Sequence, residues 1–197
     1  MKERFYKVMR VLLGAYYAVV FPATVEGLEN IPAEGAFILC CNHCSNRDPF
    51  FLAIPCKRRY LHFMAKAELF RWKPLAKIIR ALGGFPVDRG NSDLNAVRTA
   101  LKVIAEGHGL AIFPQGTRVK DNRRTPMLEG VSMIALRAGV PAIPTYIGGP
   151  YRLFRRIQIS FGKPVQLADL GRRMNSEILG EATRRIEDAV WSLERRD

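Results

Sequence analysis

Ala36-Phe37-Ile38-Leu39-Cys40-Cys41-Asn42-His43-Cys44-Ser45-Asn46-Arg47-Asp48-Pro49 runs from an unbroken apolar stretch through a short polar turn to a proline, and the apolar segment Phe50-Phe51-Leu52-Ala53-Ile54 follows. A short apolar run closed by turn formers reads as a buried strand. Asp48-Pro49 reads as the start of a helix, with aspartate as the cap and proline in the first turn, where its missing N–H costs nothing. Strand, turn and helix in immediate succession form the basic unit of an α/β sheet.

The same turn offers chemistry. A neutral imidazole accepts a proton near physiological pH, and a carboxylate on its other nitrogen fixes the tautomer and stabilises the imidazolium. His43 is therefore a candidate general base and Asp48 its orienting acid. Capping and catalysis are compatible for Asp48, because one carboxylate oxygen can serve a helix amide while the other serves the ring.

Outward from this unit the pattern repeats. Strands are expected at Ala36–Cys41, Arg59–Met64, Gly84–Val87, Leu110–Phe113, Pro141–Ile147 and Ile157–Phe161, and helices at about 49–55, 66–81, 92–106, 129–138 and 174–194. In the segment from Ser92, which is a plausible cap, Leu94, Val97, Leu101 and Ile104 recur at helical spacing until Gly107 stops the run. Ile178, Ala182, Ile186, Ala189 and Leu193 likewise share one helix face. Alternating strands and helices predict an α/β fold with a mostly parallel or mixed central sheet flanked by helices. Sites in such sheets lie past the carboxyl ends of strands, and His43, Arg89 and Gln115 to Arg118 each follow a predicted strand. Phe113-Pro114-Gln115-Gly116 reads as a tight turn with proline second and glycine fourth. Arg89 and Arg118 are planar cationic forks suited to phosphate. His62 falls inside a predicted strand and His108 in a Gly-His-Gly turn, so neither is assigned a role in catalysis.

Length and composition are those of one globular domain: 197 residues, 48% hydrophobic and 25% charged. The charge is less ordinary. Thirty-one Lys and Arg against 18 Asp and Glu leave a formal +13, a surface that attracts polyanions. Nothing resembles a helix-turn-helix, a zinc finger or an RNP block, so no nucleic-acid partner is expected. An anionic membrane is favoured by the N-terminus, where Lys2, Arg4, Lys7 and Arg10 lead into the apolar run Val11–Phe21. That run is shorter than the ~20 residues a spanning helix requires, and it suits a helix lying in the headgroup region. Docking of the helix on the protein's own core is the other reading. A secretory signal is disfavoured by a weak cleavage pattern after Phe21 and by the cysteines. Cys40, Cys41, Cys44 and Cys56 lack the second close pair of a structural zinc site, so no metal is expected and reduced packing thiols are. Cys44 beside His43 is a rival nucleophile.

Asn42-His43-x-Ser45-x-x-Asp48-Pro49 resembles the first motif of the glycerolipid acyltransferases, the lysophosphatidic acid acyltransferase family. Gly84-Phe85-Pro86-Val87-Asp88-Arg89 is similar to its second block, Phe113-Pro114-Gln115-Gly116-Thr117-Arg118 to its third, and Val140-Pro141-Ala142-Ile143-Pro144 to its fourth. The blocks stand in the family's order from about residue 40 to 145. One departure is Gln115, where the family usually carries glutamate; another is Met127-Leu128-Glu129-Gly130, in place of a lysine-rich approach to the glycine. Both bear on the acceptor rather than on the reaction.

The resemblance implies an O-acyltransferase. His43, oriented by Asp48, would deprotonate an acceptor hydroxyl, while Arg89 and Arg118 would hold the acceptor phosphate with Thr117 hydrogen bonding beside them, Gln115 and Gly116 would belong to the same substrate-binding turn, and Pro144 with Ile143 would line the donor side. It implies acyl-CoA or acyl-acyl carrier protein as donor substrate, no further cofactor, and a lysophospholipid acceptor, foremost lysophosphatidic acid giving phosphatidic acid. Glycerol 3-phosphate, another lysolipid, a hydrolase using the same base, or a basic lipid- or nucleic-acid-binding module without catalysis are the alternatives. Residues 1–23 are then expected as a membrane-associating helix and 24–197 as the acyltransferase domain, peripheral or monotopic on the cytoplasmic face of a membrane.

Overall fold

The computed structural model describes residues 2–88, 93–148, 151–171 and 174–195. In chain order they form α1 (Lys2–Val20), β1 (Ala23–Glu26), β2 (Phe37–Cys41), α2 (Asp48–Ala53), β3 (Leu61–Lys66), α3 (Lys73–Ala81), β4 (Gly84–Val87), α4 (Leu94–Ala105), β5 (Gly109–Ile112), α5 (Gly130–Ala138), β6 (Ala142–Gly148), β7 (Ile157–Phe161) and α6 (Ser176–Ser192). The strands make one mixed sheet in the order β1-β7-β6-β2-β5-β3-β4. All neighbours are parallel except β6 and β7, which run antiparallel. Helical crossovers explain the parallel pairs, since parallel neighbours need a long connection.

Strand alternation divides the apolar residues between two cores. Phe37, Leu39 and Cys41 of β2 join Ala111, Ile143 and Ile147 beneath α1 and α2, where Tyr6, Tyr17, Phe51 and Leu52 are buried. Ile38 and Cys40 face the opposite side with Leu110, Ile112 and Tyr146, covered by residues of α4, α5 and α6 such as Ala100, Ile134 and Ile186. Strand β2 is buried along its whole length. Covered on both faces and paired with β5 and β6, it is a rigid platform for the turn that leaves its carboxyl end.

Three local expectations change. A continuous helix over 66–81 is replaced by a 3₁₀ turn, Ala67–Phe70, and then α3, because Trp72 is extended and Pro74 falls in the first turn of the new helix. The cap of α4 is Asp93, whose carboxylate accepts from the amides of Asn95 and Ala96; Ser92 lies outside the described residues. Strand β1 has no counterpart among the expected strands. It is four residues long, at most half-buried, and pairs with β7 on the sheet edge, so its sequence carries little apolar alternation.

Helix α1 docks on the core and also presents an apolar face outward. Tyr6 and Tyr17 are buried, as is Phe21 just beyond the helix, while Phe5, Val8, Val11, Leu12, Tyr16 and Val19 are exposed. Among the described residues no helix is long and apolar enough to cross a membrane.

Candidate active site at the carboxyl end of β2

His43 leaves β2 held from both sides of its own peptide. Its amide donates to Gln115 Oε1 at 2.6 Å, and its carbonyl accepts from the Val119 amide at 2.8 Å. The ring lies on Phe113, centroids 4.2 Å apart and planes 20° from parallel. Nδ1 stands 2.7 Å from Asp48 Oδ2. A carboxylate has no proton to give, so Nδ1–H donates and the lone pair of Nε2 remains available. Nε2 makes no hydrogen bond among the described residues, and His43 retains 6% exposure.

Asp48 is fully buried on the first turn of α2, yet it is not the helix cap. Arg47 occupies the cap position without a side-chain bond, and the Asp48 carboxylate turns back into the preceding loop. Its Oδ2 accepts from the amides of Cys44 at 2.7 Å and Ser45 at 2.8 Å as well as from His43. Its Oδ1 accepts from the Tyr151 hydroxyl. Every partner is a donor, which suits an acceptor-only carboxylate. The turn Ser45–Asp48 is itself closed by the Asp48 amide on the Ser45 carbonyl at 3.1 Å.

A second brace fixes the strand ends. Asn42, wholly buried, accepts from the Ile147 amide at 2.8 Å and donates to the Ile147 carbonyl at 2.9 Å, so its side chain continues the β2–β6 ladder where the backbone has turned away. It also donates to Asn122 Oδ1 at 2.6 Å, and Asn122 donates in turn to the Tyr146 hydroxyl at 2.7 Å. Cys44 Sγ donates to Asn122 Oδ1 at 2.9 Å. Burial, followed by the charge of Asp48, pushes the Cys44 thiol up to about 12. That thiol is not poised as a nucleophile, because the thiolate is the reactive form, and the Cys44 alternative is set aside. All four cysteines are free and buried.

The turn expected at Phe113–Gly116 is present. The Gly116 amide donates to the Phe113 carbonyl at 3.1 Å, and Gly116 has φ +68°, where a Cβ would come within 2.7 Å of Leu128 Cδ1. Gln115 is buried, with its oxygen on the His43 amide and its nitrogen 2.6 Å from Thr125 Oγ1. Both ends of the side chain are thus engaged within the protein, and its position is that of a strut behind the His43 backbone. Thr117 and Arg118 are exposed beside it. Arg118 donates to Asn46 Oδ1 at 2.8 Å, which brings its guanidinium to the loop that carries His43 and Asp48. Arg89 lies outside the described residues. Pro144 is buried in β6, paired with Cys40, and neither it nor Ile143 lines either of the two cavities beside the site. His62 and His108 stack near each other and Tyr60, with ring centroids 5.2 Å apart for the two histidines.

Two apolar cavities open near His43 without being lined by it, one reaching Phe113 and Gln115 and the other Asn46. The larger, about 770 Å³, runs from Phe113, Gln115 and Gly116 between α4 and α5, past Val97 and Ile134. The smaller, about 190 Å³, begins at Asn46 and Pro49 and runs beneath α1 towards Leu13 and Ile79. Sequence reasoning identified His43, Asp48 and the Phe113 turn, but it missed Asn122, Tyr146 and Tyr151. These come from loops and strands remote in the chain and have no local motif. Asn122 alone leaves a faint signal, since an asparagine in a polar loop tolerates the positive φ of 53° it adopts.

Comparisons with known proteins point to one family. A family model described as Acyltransferase matches residues 22–148. The 1-acyl-sn-glycerol-3-phosphate acyltransferase of Bacillus subtilis (strain 168) is 30% identical over 175 residues, covering 86% of this chain and 87% of the relative. That of Streptococcus pneumoniae (strain ATCC BAA-255 / R6) is 31% identical over 179 residues, covering 87% of this chain and 66% of the relative. The crystal structure of the 1-acyl-sn-glycerophosphate (LPA) acyltransferase PlsC from Thermotoga maritima superposes with a TM-score of 0.74 at 25% identity, covering 98% of this chain and 80% of that one. With its motif blocks, its mixed sheet and its histidine–aspartate pair in place, the chain belongs to the glycerolipid acyltransferase family.

Proposed function

We propose that this protein transfers a fatty acyl group from a thioester to the hydroxyl of a lysophospholipid, foremost lysophosphatidic acid, yielding phosphatidic acid. The observation that carries the reading is His43 Nδ1 bound at 2.7 Å to a buried carboxylate while Nε2 has no hydrogen-bond partner among the described residues. Nε2 takes the hydroxyl proton as the oxygen attacks the thioester carbonyl. The tetrahedral adduct then collapses, the C–S bond breaks, and the imidazolium returns its proton to the departing thiolate. Asp48 holds the ring in the required tautomer throughout. Phe113 beneath the imidazole and the Gln115 strut behind its amide limit where the base can point.

Exposed Arg118 and Thr117, with Arg89 from the second block, are the groups we assign to the acceptor phosphate; a guanidinium offers paired donors for its oxygens. Gly116 keeps the adjoining turn open to the ligand. The larger apolar cavity, beginning at Phe113, has the chemistry to accept a fatty acyl chain. Acyl-CoA and acyl-acyl carrier protein are the donors proposed, with no additional cofactor.

The outer face of α1 favours work at a membrane surface. Val11 is 66% exposed and Val19 68%, with Arg4 and Lys7 alongside. Beyond the helix end, Leu153 and Phe154 are exposed among Arg152, Arg155 and Arg156, and the Phe154 amide donates to the Val20 carbonyl. Apolar side chains fringed by cations match an anionic bilayer. We assign the protein a peripheral or monotopic position on the cytoplasmic face.

The test is incubation with labelled acyl thioester in anionic vesicles, with and without lysophosphatidic acid. Label should enter diacyl ester only when the acceptor is present, and His43→Ala should abolish this while remaining folded. Label appearing as free fatty acid regardless of acceptor would identify a hydrolase and overturn the proposal.

A further inference from the structure

Asp48 has a partner that the motif does not contain. While His43 and two loop amides share Oδ2, Oδ1 receives the hydroxyl of Tyr151, 103 residues further along the chain. Tyr151 sits in the loop after β6, at the same end of the sheet as His43. Its ring is packed against Phe51, centroids 5.4 Å apart, and Phe21, at 6.3 Å. The loop is pinned to α1 by the Phe154 amide on the Val20 carbonyl, 2.8 Å. The phenol is therefore held where its only polar contact among the described residues is the carboxylate.

Resting on the reading of His43 as general base, we infer that Tyr151 is a positioning residue for acyl transfer, acting through Asp48. It works in two ways. Anchoring Oδ1 stops the carboxylate from turning about its own axis, so that Oδ2 stays on Nδ1. A neutral O–H donor also draws charge towards Oδ1 and away from Oδ2, which moderates the stabilisation that Asp48 gives to the imidazolium. Burial, and then the charge of Asp48, raise the Tyr151 phenol well above its usual range, so it remains a donor wherever the base operates.

The other titratable groups around the pair do not substitute for it. Cys41 and Cys44 are thiols raised by burial and by Asp48. Tyr17, from α1, is raised by burial and packs on Phe51. Arg47 lies over the Phe21 ring and Arg118 is on Asn46, both exposed to solvent.

The experiment is the pH profile of kcat/KM for Tyr151→Phe, with kcat and KM measured separately. The ring and its packing are retained and only the hydroxyl is lost. We expect kcat to fall about 10- to 100-fold with KM little changed, as for a group acting on a general base. The acid limb should move to higher pH, because the carboxylate keeps more charge on Oδ2 and holds the imidazolium longer. A wild-type kcat and limb in this variant would overturn the inference. Phe51→Leu perturbs the same packing without touching the hydroxyl; an equal limb shift there would assign the effect to packing and also overturn it. Should Tyr151→Phe fold poorly, a fluorinated tyrosine at position 151 strengthens the donor without changing its shape. Its limb should move to lower pH, and an unmoved limb refutes the inference. His43→Ala separates the two claims: activity in that variant sinks the base itself, whereas an inactive His43→Ala beside an unaltered Tyr151→Phe sinks only the role of Tyr151.

Discussion

Asp48 Oδ2 lies 2.7 Å from His43 Nδ1 and serves the turn amides of Cys44 and Ser45 through the same atom. One carboxylate oxygen thus shapes the loop and orients the ring. Asp48→Asn keeps one acceptor but replaces the other oxygen with an amide that donates. Whichever way the amide faces, either the Tyr151 hydroxyl or the group of three N–H donors meets another donor. Acyl transfer should drop about 10³- to 10⁴-fold, the scale seen when a histidine is left with the wrong tautomer. Stability should fall by about 1–3 kcal/mol for the unpaired buried donors. Steady-state kinetics beside urea unfolding measures both, and retained activity would remove Asp48 from the mechanism.

Asn42 should matter more to stability than any other polar side chain near the site. Asn42→Ala strands the Ile147 amide in a fully buried place and leaves the Ile147 carbonyl only the longer bonds from Asn122 Nδ2 at 3.4 Å and Cys44 Sγ at 3.9 Å, at about 1–3 kcal/mol for the orphaned amide and less for the carbonyl. Denaturant midpoints should shift by an amount that corresponds to about 2–4 kcal/mol in total. A shift within error would show that water or a repacked Asn122 replaces the brace.

The thiols predict an alkaline limit. Cys40, Cys44 and Cys56 are each pushed up to about 12 from an ordinary 9.0, by burial first. The unfolded chain releases these protons above pH 9 while the folded one keeps them. Their contribution to stability is therefore complete below pH 9 and is lost progressively as the pH rises towards 12. Urea midpoints should be level across pH 7–8 and fall steadily from pH 9 upward. In the native protein a thiol reagent at pH 8 should react far more slowly than after denaturation.

On α1, Val11→Asp and Leu12→Asp alter side chains that are 66% and 59% exposed. Folding stability should change by no more than about 0.5 kcal/mol, as for other surface positions. Binding to anionic vesicles should weaken about tenfold or more for each, since a buried Val or Leu side chain contributes about 1.5–3 kcal/mol when it leaves water. Vesicle co-sedimentation alongside thermal denaturation distinguishes the two, and unchanged sedimentation would clear this face of any role in membrane binding.

The layered α/β architecture was legible in the chain because its signals are local. Apolar runs such as Phe37–Cys41 and helical repeats such as Ile178, Ala182 and Ile186 record burial directly, and the turn at Phe113–Gly116 is written in a proline and a glycine. The His43–Asp48 pair was legible for the same reason, because five residues along one loop are enough to bring the two side chains together. What pairs with Asp48 Oδ1, what closes the ladder beyond Cys41 and what spends both ends of Gln115 were decided only by tertiary structure. Tyr151, Ile147 and Thr125 reach those positions through strand order and loop path, and neither leaves a periodicity in the sequence. A short-range pattern fixes which face a residue buries and which neighbours share its turn. A contact between distant segments depends on how the whole sheet is assembled, and that is a property of the fold rather than of any stretch of chain.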